Sequence, residues 1–389
     1  MNFLLVLLLR TAVASLLWSS LDVFAADYQP KSDDEVLYVI PKGLSSSPAS
    51  IASEVKTSDP VLIEVQVAEI LARARSSGDP RLYGQAQAML TPWWNDSELS
   101  GRLLLHRANI KQFNHQFQPA LFDLHKFLKE DPLNLKGQLM LVSVYLVLGQ
   151  FDEAARVCQA AGQINVMIQQ ICTAGTLSLT GKSDKALAIL QPLEGLIQMR
   201  FRALVPYFVW TMADVYARQG RLDDAEKYYK LGLELSPNER FALAALADLW
   251  FDQNEFQKTA NALKDQIQHD GLLIRLAIAQ KQIGAPGLAA SVAELTARFE
   301  REKLRGASRH DREGALFQLH VLGNGNAALQ LARANWRVQH ESTDVRIYLD
   351  AAVAEHSVND LKEIVAWMQK SGYRDATCTG ILKKVGFEI

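Results

Sequence analysis

The sequence has little of what marks several large protein classes. Its 389 residues include only three cysteines, which excludes a disulfide-dense scaffold. Lys+Arg 41 against Asp+Glu 43 gives a net charge of -2, without the basic excess of a nucleic-acid-binding protein. No apolar run reaches the roughly 20 residues of a membrane-spanning helix, which excludes a polytopic membrane protein. With 49% hydrophobic and 22% charged residues, the composition is that of an ordinary folded protein.

Sequence signatures of catalysis are missing as well. Among the eight histidines no two stand at positions i and i+4, and none joins a cysteine at the spacing of zinc ligands. The sequence contains no nucleophile elbow, no phosphate-binding glycine-rich loop with lysine and no dinucleotide-binding fingerprint. We therefore expect a protein that is not an enzyme, that uses neither cofactor nor metal, and that binds no nucleic acid.

The N-terminus resembles a targeting segment. Residues 3–9 and 12–18 are apolar, Arg10 separates the two runs, and Val23-Phe24-Ala25 fits a signal-peptidase site. We predict that residues 1–25 are a signal peptide cleaved after Ala25, which implies a periplasmic or secreted protein without stable membrane insertion. The alternative is an uncleaved anchor helix, although Arg10 and Asp22 would each cost about 2.5–3.5 kcal/mol near the centre of a bilayer.

Residues 26–59 have the composition of a flexible arm or linker, with Pro30, Pro41 and Pro48 and few segments compatible with a helix. The exception is Val36 to Ile40, five apolar residues that favour β-structure. Because such a run is prone to aggregate in water, we expect it to dock. It could pack against the first helices or occupy a binding groove.

Small residues recur at a regular spacing after residue 60. They are Ala86, Ala120, Ala154, Ala186, Ala225, Thr259, Ala289 and Ala328. Their spacings are 34, 34, 32, 39, 34, 30 and 39 residues. Five positions before most of them stands a glycine: Gly149, Gly181, Gly220, Gly284 and Gly323. A period near 35 residues indicates a repeat architecture.

This pattern predicts two antiparallel helices in each repeat. Small residues let two helix backbones approach closely, and larger residues such as Tyr145, Tyr216 and Trp250 fill the space between them. The glycine ends the first helix, because a tight turn needs the left-handed conformation that glycine, or Asn254, adopts at little cost. One such hairpin cannot bury its apolar face alone, so neighbouring hairpins must stack.

At these positions the sequence resembles the tetratricopeptide repeats. In the clearest copy, residues 206–239, the signature positions hold Ala213, Tyr216, Gly220, Ala225, Tyr229 and Pro237. The resemblance implies an all-α fold: a right-handed α-solenoid of about eight to nine helix hairpins over residues 60–372, with a C-terminal capping helix or tail at residues 373–389. Lys111, His115 and Thr259 depart from the family pattern. Residues 77–81 and 92–94 look like uncharacterised exported bacterial members of the family.

The resemblance also implies a concave face made by the first helix of each repeat. Its groove positions carry over to Arg102, Asn109, Gln112, Phe113, Lys136, Ser143, Tyr207, Trp210, Asp214, Arg218, Phe241, Asp248 and Phe251. Aromatic side chains mixed with both signs of charge suit a protein or peptide partner. For the aromatic residues, packing between repeats is an equally good interpretation.

Two of the cysteines fall in helices that should be neighbours. Cys158 lies at a packing position of one second helix, and Cys172 lies early in the first helix of the next repeat. An oxidising compartment after export would favour a disulfide between them. The alternative is two buried thiols. With the disulfide formed, Cys378 would be unpaired.

These observations favour a non-enzymatic scaffold that binds a protein or peptide on its concave face in the bacterial envelope. Two other functions stay open at this point. One is an accessory role in cell-wall metabolism with a glycan-binding or hydrolytic site. The other is a purely architectural solenoid that assembles with copies of itself as a homo-oligomer.

Overall fold

The structure, a computed structural model, describes residues 59–77, 79–304 and 311–388. Within those ranges every regular element is helical, as predicted. The predicted signal peptide and the predicted arm up to residue 58, with its apolar run at Val36 to Ile40, lie outside the described residues. The described residues belong to one compact unit, Val55–Ile389.

The first half of this unit consists of consecutive helix hairpins. Its helices are α1 (Pro60–Ser77), α2 (Arg81–Met89), α3 (Arg102–Phe113), α4 (Phe117–Glu130), α5 (Leu135–Val147), α6 (Phe151–Ala161), α7 (Val166–Leu179), α8 (Ser183–Leu190) and α9 (Glu194–Arg200). Each odd-numbered helix up to α7 pairs with the helix that follows it. The short α9 is an addition to the repeat, and it accounts for the spacing of 39 residues between Ala186 and Ala225.

The second half continues the series after this addition. Its helices are α10 (Val205–Arg218), α11 (Leu222–Leu235), α12 (Arg240–Asp252), α13 (Phe256–Leu263), α14 (Asp270–Ile283), α15 (Leu288–Leu304), α16 (Asp311–Leu316), α17 (Gly325–Trp336), α18 (Ser342–Ala354), α19 (Val358–Ser371) and α20 (Ala376–Lys384). A π-helical turn, Phe317–Leu322, extends α16. Lys281 Nζ donates to the carbonyl oxygens of His320 and Val321 at 3.1 and 2.9 Å, at the end of this turn.

The hairpin turns at the predicted positions have a left-handed residue. The five predicted turn glycines have φ values between 65° and 74°, and Asn254 has φ 60°. His115, which replaces the turn glycine in one repeat, has φ 57°. The prediction of a left-handed residue at the five glycines and at Asn254 is confirmed, and His115 shows that the turn conformation is kept where the glycine is replaced.

The predicted small residues form buried seams between paired helices, with one exception. Ala289 is exposed, and Ser291 is the buried small residue of α15. The helix begins at Leu288, three residues before Ser291, and α4, α6, α11 and α13 begin three residues before their own buried small residues. The predicted register is therefore wrong by two residues in α15, because this helix begins four residues after the left-handed Gly284, whereas α6 begins two residues after Gly149.

A disulfide joins Cys158 on α6 to Cys172 on α7, with the Cα atoms 5.5 Å apart. It links two hairpins that follow each other in sequence, as the positions of the cysteines suggested. Cys378, on α20, is a free and buried thiol. Burial and the nearby Asp375 raise the pKa of this thiol well above its usual value.

Residues 340–384, here called the C-terminal segment, pack back onto the middle of the chain. The backbone N–H of His340 donates to the carbonyl oxygen of Val147 at 2.7 Å, and that of Arg374 donates to the carbonyl of Leu179 at 2.9 Å. Val147 and Leu179 are the last residues of α5 and α7, where helix carbonyls lack partners within the helix. The C-terminal segment therefore supplies hydrogen-bond donors to the last carbonyl groups of α5 and α7, which are far away in sequence.

The same segment lies against three of the turn glycines. A Cβ atom on Gly149 would come within 2.7 Å of Trp367, one on Gly181 within 2.8 Å of Arg374, and one on Gly220 within 3.2 Å of the Cβ of Ala376. The rings of Phe151 and Trp367 also meet edge to face, with centroids 6.2 Å apart. Glycine is thus needed here both for its backbone conformation and for the close approach of the segment.

None of the described helices is both long and apolar enough to span a membrane.

Candidate functional site

A cavity at the surface of the described residues lies between α3 and α5. It has a volume of about 640 Å³. Four of the predicted groove residues line it: Asn109 and Gln112 on α3, and Lys136 and Ser143 on α5. Its remaining walls are apolar and come from Leu135, Leu139 and Met140 on α5.

Local sequence explains how α5 presents these side chains. Asn134 caps the helix, because its Oδ1 accepts a hydrogen bond from the backbone N–H of Gly137 at 3.0 Å. Gly137 has no side chain, so α5 can lie close to Phe127 of α4; a Cβ atom there would come within 2.9 Å of that ring. The cap and the close packing hold Lys136 and Leu139 at the edge of the cavity.

The polar groups of this cavity are only partly satisfied. Gln112 Nε2 donates to Ser143 Oγ at 3.0 Å, which ties α3 to α5 across the floor of the cavity. Asn109 Oδ1 is buried and has no hydrogen-bond partner among the described residues. A buried amide oxygen without a partner costs about 1–3 kcal/mol, so a donor from a bound molecule would be stabilising here.

A second, smaller cavity of about 240 Å³ lies next to the first. It is lined by Glu64, Ala68, Arg102, Leu105, His106, Asn134 and Lys136. Lys136 borders both cavities and joins them into one groove. Arg102 Nη1 lies 3.6 Å from Glu64 Oε1, an ion pair at the rim.

Burial and neighbouring cations lower the pKa values of His106 and Lys136, which line the smaller cavity. Desolvation, assisted by Lys136, lowers the pKa of His106 to about 4, so its imidazole is neutral at neutral pH. Desolvation and the charges of Arg75 and Arg102 lower the pKa of Lys136. The groove therefore has an excess of positive charge that its own residues do not balance.

Phe113, the remaining predicted groove residue of α3, packs between repeats. Its ring stacks on that of Tyr83 of α2, with centroids 3.6 Å apart and planes 2° apart. Phe113 does not line either of the two cavities.

The polar groove residues predicted on α10 are paired within the protein. Asp214 accepts a hydrogen bond from the hydroxyl of Tyr229 at 2.5 Å. Arg218 Nη1 donates to Ser178 Oγ at 2.8 Å, and its Nη2 lies 3.4 Å from Asp214. The Arg218 side chain is 13% exposed, and its buried Nε has no hydrogen-bond partner among the described residues.

Two predicted groove aromatics on α10 contribute to packing. Trp210 lies directly against Gly232 of α11, where any larger side chain would collide with the indole. Tyr207 is largely buried, and burial raises its pKa to about 12.

The predicted groove residues of α12 separate into three environments. Asp248 is bound by Arg275 of α14 through two contacts of 2.6 and 2.7 Å. Phe251 packs on Phe256, with ring centroids 5.7 Å apart. Phe241 is 79% exposed and lines neither cavity.

Among the groove residues that sequence reasoning missed are Glu64, His106, Leu139 and Met140. The helical period could have found three of them, because side chains three or four positions apart share a helix face. His106 follows Arg102 by four residues, and Leu139 and Met140 follow Lys136 by three and four. Glu64 belongs to a different helix, and only the packing of α1 on α3 brings it to the cavity.

Comparison with known proteins agrees with the repeat register. The family model described as Tetratricopeptide repeat matches residues 208–249, which overlap the clearest copy in the sequence. Among curated proteins none matches the chain. One similar solved structure is a tetratricopeptide repeat protein from Parabacteroides merdae, 11% identical, with a TM-score of 0.39; the match covers 73% of this chain and 98% of that chain. Residues 208–249 are therefore similar to a tetratricopeptide repeat, and helix hairpins lie on both sides of them.

Proposed function

We propose that this protein is a non-enzymatic scaffold that binds an extended segment of a partner protein in the groove between α3 and α5. Tetratricopeptide folds are typically protein-interaction scaffolds. The observation that carries the proposal is the cavity of about 640 Å³, in which four predicted groove residues meet an apolar wall. Such cavities combine apolar area for affinity with a few polar groups for orientation.

The unsatisfied Asn109 supports an extended backbone as the ligand. A peptide N–H is the donor that its buried Oδ1 lacks, while side chains of the peptide could contact Leu135, Leu139 and Met140. Two charged groove positions farther along the chain, Arg218 and Asp248, are paired with other residues of the protein, which supports α3 and α5 as the binding helices.

We further propose that binding takes place in the bacterial envelope after export. The support is the N-terminal sequence, with its apolar runs and the possible cleavage site after Ala25. Cell fractionation followed by N-terminal sequencing tests this directly. A mature protein that begins at Ala26 is the expected result, and a cytosolic protein that retains Met1 would contradict it.

A charged residue in the apolar wall tests the binding site. In Met140→Glu, a carboxylate replaces apolar surface that a partner must cover, so affinity purification from an envelope extract should lose the partner. Leu235→Glu is the matched control, because Leu235 is 51% exposed on α11 and lines neither cavity. Both variants should keep the circular dichroism and thermal unfolding of the parent. If Met140→Glu and the parent retain the same proteins, the groove assignment is wrong.

A further inference from the structure

The smaller cavity has a charge imbalance that none of its own residues removes. Arg102 and Lys136 line it, and Arg75 is close enough to influence Lys136. Among the described residues that line it, Glu64 is the only carboxylate. Glu64 already lies 3.6 Å from Arg102, which leaves Lys136 without a carboxylate of its own in the cavity.

A buried polar group points to a ligand at the same place. His106 is only 4% exposed, and its Nε2 has no hydrogen-bond partner. The nearest carboxylate oxygen, Glu64 Oε1, lies 3.8 Å from Nε2, which is too far for a hydrogen bond. A neutral imidazole with Nε2–H would therefore hold a free donor at the wall of a cavity that is rich in positive charge.

The distance between the two cavities allows one extended peptide to contact both. Arg102 of the smaller cavity and Asn109 of the larger one are seven residues apart on α3, a rise of about 10 Å. An extended peptide covers this distance in about three residues. One segment could therefore place an acidic side chain in the smaller cavity and an apolar side chain, about three residues away, in the larger one.

We infer that the groove selects a partner segment with an internal acidic side chain about three residues from an apolar one. This inference rests on the proposed peptide-binding function and deepens it. The carboxylate of the partner pairs with Lys136 and Arg102 and accepts a hydrogen bond from His106 Nε2–H. The apolar side chain lies against Leu139 and Met140. Selection depends on a side-chain carboxylate, so a free C-terminus is not required.

Charge complementarity is the reason for an acidic occupant. A basic segment would bring like charges together at Lys136, and a neutral one would leave Lys136 and the His106 donor without partners. Because Arg102 is 70% exposed, its part of the attraction is screened by salt. Binding should therefore weaken as ionic strength rises.

The probe is a synthetic peptide with the sequence of residues 32–41, acetylated at its N-terminus and amidated at its C-terminus. It has two aspartates and a glutamate directly before five apolar residues, and no terminal carboxylate. The comparison peptide has Asn, Asn and Gln at the acidic positions. We expect fluorescence anisotropy with the full chain to show at least tenfold tighter binding of the acidic peptide. Equal affinity for the two peptides would overturn the inference and leave peptide binding itself intact.

A charge reversal at Lys136 tests whether this residue binds the carboxylate of the peptide. Lys136→Glu should weaken binding of the acidic peptide at least tenfold and should favour a peptide with lysines at the three acidic positions. Lys383→Glu, which changes an exposed lysine on α20, is the matched control and should bind as the parent does. If Lys136→Glu keeps the parent preference, the assignment of this cavity is wrong.

Two further outcomes also overturn the inference. One is that neither peptide binds at 1 mM; the proposed function is then judged separately by the Met140→Glu experiment. The other is binding by a chain that begins at Val55 but not by the full chain. That result would assign the cavity to the protein's own N-terminal residues and not to an external partner.

Discussion

The two halves of the molecule use the same helix positions differently. In α3 and α5 the predicted groove residues line open cavities, and a buried amide oxygen and a buried imidazole nitrogen lack partners. In α10 and α12 the charged residues are paired, Arg218 with Ser178 and Asp214, and Asp248 with Arg275, although Trp210 Nε1 and Arg218 Nε also lack partners. A repeat position therefore does not determine a function, because neighbouring elements decide whether its side chain meets a ligand or another residue.

The C-terminal segment accounts for part of this difference. It covers the hairpin turns at Gly149, Gly181 and Gly220, and it approaches Arg218 through Tyr373. By contrast, Gly284 and Gly323 have open space around them. The turn edge in the middle of the chain is therefore an internal interface, whereas the groove of the first half forms open cavities among the described residues.

The largest predicted effect concerns the buried ion pairs of the first half. Asp123 is fully buried and holds Arg107 Nη2 at 2.8 Å and Lys111 Nζ at 2.7 Å. We expect Asp123→Asn to lower the free energy of unfolding by about 3–5 kcal/mol, since it leaves buried cations without a counter-charge. Asp248→Asn is the control in the second half and should cost less, because that side chain is 42% exposed. Urea denaturation measures both; equal losses would contradict the contrast.

The disulfide should have the next largest effect, at the junction of α6 and α7. Replacing Cys158 and Cys172 by serine opens a loop of 14 residues and should cost about 3 kcal/mol in the chain-entropy model. Hydrogen exchange should localise the loss to these two helices. A reducing agent should destabilise the parent protein and leave the double variant unchanged. If reduction does not change the thermal unfolding of the parent, the bond contributes nothing.

The buried imidazole of the first half should make stability depend on pH. His106 has a pKa of about 4 in the folded protein, against 6.5 for an ordinary histidine. As the pH falls below 6.5, the unfolded chain binds a proton that the folded protein does not, so stability is lost until about pH 4. Between pH 7 and 4.5 this contributes a loss of about 2–3 kcal/mol. His106→Gln should remove that part of the loss, and an unchanged pH profile would contradict the assignment.

The smallest predicted effect is a difference in stability between substitutions at a turn that the C-terminal segment covers and at a turn that it leaves open. Gly149→Ala and Gly284→Ala both place alanine at a positive φ, 69° and 65°, so the backbone strain is common to both. Only at Gly149 does the new methyl group meet another part of the chain, Trp367. We expect Gly149→Ala to cost about 1–3 kcal/mol more than Gly284→Ala in thermal unfolding. Equal costs would show that the C-terminal segment adjusts without strain.

Sequence patterns predicted the local features of the fold well, because each depends on nearby residues. The turn at Gly220 and the last helix, which Asp375 caps by accepting from the backbone N–H of Cys378, are examples. The register of α15 was wrong because a turn can gain two residues without a change in helix pattern. Of the groove, Asn109, Gln112, Lys136 and Ser143 were predicted, whereas Glu64 on α1 was not.

The sequence by itself determined the helices, their turns and the period of their pairing, because periodic apolar residues and left-handed glycines act over one hairpin. Tertiary structure alone decided which groove positions stay open. Val147 and His340 meet although 193 residues separate them, and Tyr373 lies near Arg218, which precedes it by 155 residues. Contacts between such distant residues depend on the summed geometry of all intervening repeats, which no local pattern encodes.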